Sequence, residues 1–387
     1  MKVLSSAKDN RIGSINVYAE MTFGEYLELA PNIIKNNQFQ RKRVKTSKSV
    51  YSLLKKDLQN GCIMPPLVLA FTGKVNKSHD SEKIVKYMID HSESILILDG
   101  LQRTYTLIDA ADEISDAEEL SLFHEYKLRV EVYYNINKFG VLYRMLTLNT
   151  GQTPMSARHQ IEMLYSDMLN TEVDGIKLIS DMDGTARPSE NEFLFKNVVE
   201  GFHSYMNRDE LPIDRQELLE NIKMLEKMSE ESIDSDIFKE FLECYIGVFQ
   251  SLRNVTIDRN VSAEELSEYG IMGSPFGVNV SKVFSSSQAL TGFGAAVGRM
   301  KDKDVITGFE SISNDLKMME ESNNGMEWFL EMLRCLDRIR DNSKKIGNAQ
   351  RMFFQYFFRE LFNKDGDSFL NLENAVENGY KKYQSQV

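Results

Sequence analysis

The stretch Ile95-Leu96-Ile97-Leu98-Asp99-Gly100-Leu101-Gln102-Arg103-Thr104-Tyr105-Thr106-Leu107-Ile108 decides how the chain is read. Four consecutive apolar residues run into an Asp-Gly pair, which predicts a buried strand closed by a tight turn. Leu101, Leu107 and Ile108 then recur at helical spacing, so a helix is expected from about Leu101. This puts Asp99 at the carboxyl end of a strand. It puts Gln102 and Arg103 in the first turn of a helix, where unpaired N–H groups and the positive dipole end favour an anion. Arginine suits the last turn of a helix better than the first, so Arg103 predicts a negative group beside it. A phosphate is one candidate. The other is a turn without ligand, with Arg103 paired to a nearby carboxylate.

Two flanking stretches extend the pattern. Upstream stands Asn37-Gln38-Phe39-Gln40-Arg41, followed by the apolar Pro65-Pro66-Leu67-Val68-Leu69-Ala70. Downstream stands Leu148-Asn149-Thr150-Gly151-Gln152-Thr153-Pro154-Met155-Ser156. Together with Asp99-Gly100-Leu101-Gln102-Arg103, these resemble the ParB/sulfiredoxin-like superfamily in its DGQQR/DGQHR branch. That branch holds the NTPase and specificity subunits of modification-dependent restriction systems and the DndB-like regulators of DNA sulfur modification. The resemblance covers about residues 20–165. One departure stands inside the motif: Leu101 occupies a position where the family often has Gln, which removes one polar contact to a ligand.

The resemblance implies a nucleotide site. Asp99, Gln102 and Arg103 would be catalytic, with Gln102 and Asp99 orienting water or a bound Mg²⁺. Gln40, Arg41, Gly100, Arg103, Thr104, Asn149 and Gln152 would bind a nucleoside triphosphate, ATP or GTP. Hydrolysis would be slow and driven by positioning and charge stabilisation. The implied setting is bacterial DNA modification or anti-phage defence, with a protein partner carrying nuclease or modification chemistry. A competing class is a DNA-binding regulator that contacts backbone through Arg41, Lys42, Arg43 and Lys45. A third is a scaffold subunit that recruits an effector.

Composition narrows these classes. The net charge of −12 over 387 residues argues against non-specific coating of DNA, which needs a basic face. Yet Lys35, Arg41, Lys42, Arg43, Lys45, Lys48, Lys55 and Lys56 fall within 22 residues that carry no acid. Such a run is either a phosphate-facing surface or a solvated loop docked on the acidic remainder. Cys62, Cys244 and Cys335 are widely spaced, which predicts neither a disulfide framework nor a zinc site and fits a reducing cytoplasm. No GxxxxGK[ST] phosphate loop occurs, and the five His show no metal spacing. No membrane association is expected, because no apolar run approaches spanning length. Self-association is left open.

In chain order, residues 1–20 read as a short strand or arm. Met21–Ile34 reads as a helix with Thr22 and Glu25 forming a capping box. Ser49–Leu58 reads as a helix with Val50, Leu53, Leu54 and Leu58 on one face, Pro65–Phe71 as a strand, and Lys83–Ile89 as a helix within a polar insertion. Ala110–Glu119 reads as an acidic loop or helix end. Tyr126–Tyr134 alternates strictly, which predicts a half-buried strand with Leu128, Val130, Val132 and Tyr134 inward. Helices follow at Phe139–Leu148 and from Ser156 to Tyr165.

Beyond residue 157 the pattern is helical. Amphipathic segments are expected at Ile161–Leu169, Glu192–Tyr205, Arg215–Met228, Ile237–Leu252, Val283–Arg299, Gly325–Ile339, Ala349–Phe362 and Phe369–Tyr383. Gly292-x-Gly294-x-x-x-Gly298 follows no strand and is read as close helix packing. His159 is read as a structural histidine. Met352–Phe358 is apolar nearly all round and is assigned to core. The expected fold is therefore α+β: a ParB/sulfiredoxin-like N-terminal domain, residues 1–165, followed by a mainly α-helical bundle domain, residues 166–387.

Overall fold

Strand alternation in the first 134 residues builds a five-stranded mixed sheet. In the computed structural model the described residues are 1–36, 48–73, 81–148, 171–180, 188–211 and 237–386, with 162, 165, 168 and 169. The strands are β1 (Lys2–Asp9), β2 (Ser14–Thr22), β3 (Leu67–Phe71), β4 (Ile95–Asp99) and β5 (Lys127–Tyr134). Their spatial order is β1-β2-β5-β3-β4, with β3 and β5 parallel and the other pairs antiparallel. The polar first 20 residues thus form a full hairpin, where sequence alone suggested a short strand or arm. Cross-strand pairing with β5 supplies the order that their weak apolar pattern does not announce.

The register defines two ends of the sheet. At one end lie Thr22, Lys127, Leu67 and Asp99; at the other lie the β1–β2 hairpin, Tyr134, Phe71 and Ile95. On one face the core gathers Val17, Ala19, Met21, Leu67, Leu69, Ile95, Ile97, Leu128, Val130, Val132 and Tyr134. The expected inward set of β5 is the observed one. Helices α1 (Phe23–Asn36), α2 (Lys48–Gln59), α3 (Ser81–Asp90), α4 (Leu101–Asp112) and α5 (Ala117–Glu125) add Phe23, Tyr26, Leu58, Ile84, Leu107 and Phe123 to it. Helix α6 (Lys138–Leu148) packs against β4. All five residues of β3 are buried, so both faces of the sheet centre are covered.

Local signals account for the boundaries. The Thr22–Glu25 capping box forms in both directions: Glu25 N–H donates to Thr22 Oγ1 at 3.1 Å and Thr22 N–H to Glu25 Oε2 at 2.8 Å. The acidic 110–119 stretch contains the start of a helix, α5, capped by the Asp116 carboxylate. Leu53, assigned to the buried face of α2, is 62% exposed, while Leu58 is fully buried. The apolar stripe of this helix is narrower than the spacing suggested.

The chain forms two compact units, Met1–Leu164 and Tyr165–Val387. The second begins with a small sheet, β6 (Glu172–Val173), β7 (Ile176–Ile179) and β8 (Glu192–Leu194), which the sequence reading did not anticipate. The described helices after it are α7 (Phe195–Asn207), α8 (Ile237–Thr256), α9 (Ala263–Glu268), α10 (Val280–Phe284), α11 (Ser287–Asp302), α12 (Phe309–Ser322), α13 (Glu327–Asn342), α14 (Ile346–Phe362) and α15 (Leu372–Gln384). The glycine series sits on α11. A Cβ on Gly294 would lie 2.1 Å from Gly201 O on α7, and one on Gly292 2.4 Å from Phe354 Cβ on α14. These glycines permit backbone contact on two sides, as close helix packing requires. Phe353, Phe354, Phe357 and Phe358 are wholly buried, so the aromatic run is core.

Candidate functional site

β4 ends at Asp99, and Gly100 turns the chain with φ +106°, in the left-handed region. A Cβ there would also approach Leu67 Cδ2 to 2.4 Å, so both conformation and space call for glycine. α4 starts at the next residue. The first intrahelical bond runs from Thr104 N–H to Gly100 O, and no side chain caps the helix. The N–H groups of Leu101, Gln102 and Arg103 therefore form an uncapped helix start.

Arg103 is committed within the turn. Its Nη2 donates to Asp99 Oδ2 at 2.7 Å, and its Nη1 donates to Pro65 O at 2.7 Å and Pro66 O at 2.9 Å. The side chains of Arg103 and Asp99 are only 16% and 25% exposed. The carboxylate that Arg103 pairs with is Asp99 itself. Two successive prolines lead into β3 without N–H groups of their own. The guanidinium binds their carbonyls and fastens the 65–66 segment to the first turn of α4. The Pro65-Pro66 pair was the available signal that a donor would be needed here, and the sequence reading passed over it.

Thr104, expected to line a nucleotide site, is fully buried. Its hydroxyl lies 2.8 Å from Tyr26 Oη of α1 and donates to Gly100 O at 3.2 Å. Burial pushes the Tyr26 phenol up to about 12, opposed by the Thr104 hydrogen bond. The Thr104 hydroxyl thus faces the interior and ties α1 to the turn. Gln102 is half-buried, and no hydrogen bond of its side chain occurs among the described residues. It is the polar side chain of this turn not already engaged.

Gln40, Arg41, Lys42, Arg43, Lys45, Asn149, Gln152 and His159 lie outside the described residues. The helices that flank the basic segment are placed. Lys55 Nζ meets Glu113 Oε1 at 2.5 Å and Gln59 Nε2 donates to Ala110 O at 3.1 Å, so α2 runs antiparallel to α4. With 1.5 Å of rise per residue, the start of α2 at Lys48 is about 25 Å along the helices from the first turn of α4. α1 leads the same way: Tyr26 contacts Thr104, while Asn32 Nδ2 donates to Ser92 Oγ just before β4. Asn36 thus stands toward the start of β4, and Lys48 beyond the C-terminal end of α4, away from its first turn.

Among the described residues no group of three His, Cys, Asp or Glu could hold a metal ion. The Asp99 carboxylate is taken by Arg103, so it does not fit as an independent Mg²⁺ ligand. Cys244 and Cys335 are buried, and burial raises both thiols, to about 12 for Cys244. No described helix is long and apolar enough to cross a membrane. No family model matches the chain, and no curated protein or solved structure matches it either.

Proposed function

We propose that residues 1–164 form a ParB/sulfiredoxin-like domain that binds the phosphate of a nucleoside triphosphate, ATP or GTP, at the start of α4. The proposal places the chain in a bacterial DNA-modification or anti-phage defence system. The observation that carries it is the uncapped helix start directly after the left-handed Gly100, with Gln102 beside it. The Asp99-Gly-x-Gln-Arg resemblance supplies the ligand class. In this reading the N–H groups of residues 101–103 and the Gln102 amide take the phosphate oxygens. Arg103 is a positioning residue: paired with Asp99 and the two proline carbonyls, it holds the turn in shape. Hydrolysis would rest on positioning by this frame, with water oriented by Gln102.

Gln102 separates binding from folding. Gln102→Glu places a negative charge in the first turn, which favours the helix by about 0.3–1 kcal/mol, but repels an anion. Calorimetric titration with ATP, GTP and CTP should show one nucleotide binding the wild type, weaker binding to Gln102→Ala, and none to Gln102→Glu despite an equal or higher melting temperature. Equal nucleotide binding by all three proteins, or none by the wild type, would remove this reading.

A second reading is favoured by the basic run, which carries eight cations and no acid from Lys35 to Lys56. In it Arg41, Lys42, Arg43 and Lys45 contact DNA backbone. Duplex binding that falls steeply with salt, and is lost on replacing those four residues but not in Gln102→Glu, would support it.

A further inference from the structure

Tyr87 is 39% exposed, the one Phe, Tyr or Trp side chain among the described residues that stands open to solvent. It lies on α3, one helical turn before His91. The two rings stack, with centroids 4.1 Å apart and planes inclined by 30°. Phe71, at the end of β3, holds Tyr87 in an edge contact at 6.0 Å and 78°. His91 is oriented too: its Nδ1 donates to Tyr87 O at 2.9 Å, which leaves Nε2 for another partner. Such a pair at i and i+4 is by itself ordinary helix-surface packing. Its neighbours set this one apart. Asn32 Nδ2 donates to Ser92 Oγ at 3.1 Å, so the last turn of α1 stands beside His91. That turn carries the exposed Lys35, first cation of the acid-free run from Lys35 to Lys56. Lys86 is exposed next to Tyr87, and the exposed acids nearest in sequence are Asp90 and Glu93.

We propose that the Tyr87–His91 pair stacks a base of a single-stranded nucleic acid whose backbone runs onto the basic segment that begins at Lys35. The proposal rests on the reading in which Arg41, Lys42, Arg43 and Lys45 contact backbone phosphates, and it names the form of nucleic acid they hold. An aromatic surface beside a cationic track is what unpaired strands bind: the cations follow the phosphates and the rings take the base faces, whatever the base. In a duplex those faces are covered by the neighbouring base pairs, so only an unpaired strand offers one to Tyr87. The rings are held by Phe71 and by the His91–Tyr87 hydrogen bond, so little side-chain freedom is lost when a base docks.

The test compares labelled oligo-dT with an abasic strand of the same length, by fluorescence anisotropy on the full chain at about 50 mM salt. The abasic strand keeps the phosphates and lacks the bases. The wild type is expected to bind oligo-dT at least about fivefold more tightly than the abasic strand. Tyr87→Phe should keep that preference. Tyr87→Leu, which still covers Phe71 but has no ring, should lose it while binding the abasic strand as the wild type does. Melting curves of the two variants check that both fold. Replacing Arg41, Lys42, Arg43 and Lys45 by Ala should weaken both strands alike. Equal wild-type affinity for the two strands, or a preference unchanged in Tyr87→Leu, would overturn stacking at Tyr87 and leave the backbone reading standing. A four-residue variant that binds both strands as the wild type does would remove the backbone reading alone, and a wild type that binds neither strand would overturn both.

Discussion

Arg103 and Asp99, one helical turn apart, form a 2.7 Å ion pair across the Gly100 turn, and the same guanidinium reaches the carbonyls of Pro65 and Pro66. A motif that reads as an anion trap is, in this fold, first a clasp. Three acceptors converge on one planar cation, and the strand end, the helix start and the entry to β3 are fixed together. What remains for a ligand is the backbone of the first turn and Gln102.

Removing the clasp should therefore cost stability before it costs binding. Arg103→Ala is expected to destabilise residues 1–164 by on the order of 3 kcal/mol, because a partly buried carboxylate and two carbonyls lose their donor. Arg103→Lys should recover less than half, since one ammonium cannot reproduce the fork. Denaturant unfolding of the full chain measures both. An Arg103→Ala protein as stable as wild type would show that the guanidinium is not structural.

The buried Tyr26–Thr104 contact gives a second test. Thr104→Val keeps the shape and leaves the Tyr26 hydroxyl without its partner, at a cost of about 1–3 kcal/mol. Tyr26→Phe in the same background removes the stranded hydroxyl, so the double variant should be more stable than Thr104→Val alone. Additive losses in this cycle would mean the two hydroxyls are not coupled.

In the helical unit, Gly294→Ala should separate α11 from α7. The new methyl would sit 2.1 Å from Gly201 O, a backbone atom that cannot rotate away. Overpacking of this kind costs about 1–3 kcal/mol, against the gain in helix propensity that Ala brings elsewhere. A rise in melting temperature would show that the helices have room the contact denies.

The Asp9–Arg144 pair makes stability depend on acid. Burial pushes the Asp9 carboxyl up, but Arg144 and the Arg11 and Ile12 N–H groups together hold it below its ordinary value of 3.8. A carboxyl lowered in the folded state contributes stability that is complete above the unfolded value and lost as pH falls through the folded one. The stability gap between wild type and Asp9→Asn should be constant well above the ordinary value of 3.8 and should shrink as pH falls below it. Urea melts across that range measure it; a gap that does not shrink as the pH falls below the ordinary value would mean that the carboxylate's charge is not its source.

Sequence by itself determined the elements that local chemistry dictates. The apolar run before Asp99-Gly100, the alternation from Leu128 to Tyr134 and the Thr22–Glu25 box each state a local backbone preference, and the Gly292–Gly298 spacing announced close packing without naming its partners on α7 and α14. The β1–β2 hairpin was not legible because its order depends on β5, distant in sequence, whereas the β6–β7 pair carried a local Asp174-Gly175 turn signal that was passed over. The site divided along the same line. That a helix begins after a left-handed glycine was written in the motif. That Arg103 spends its donors on Asp99, Pro65 and Pro66, that Thr104 faces Tyr26, and that α2 enters from the opposite end were decided by tertiary packing. A side chain's partners are fixed by which segments meet, and no spacing along one strand and helix carries that information.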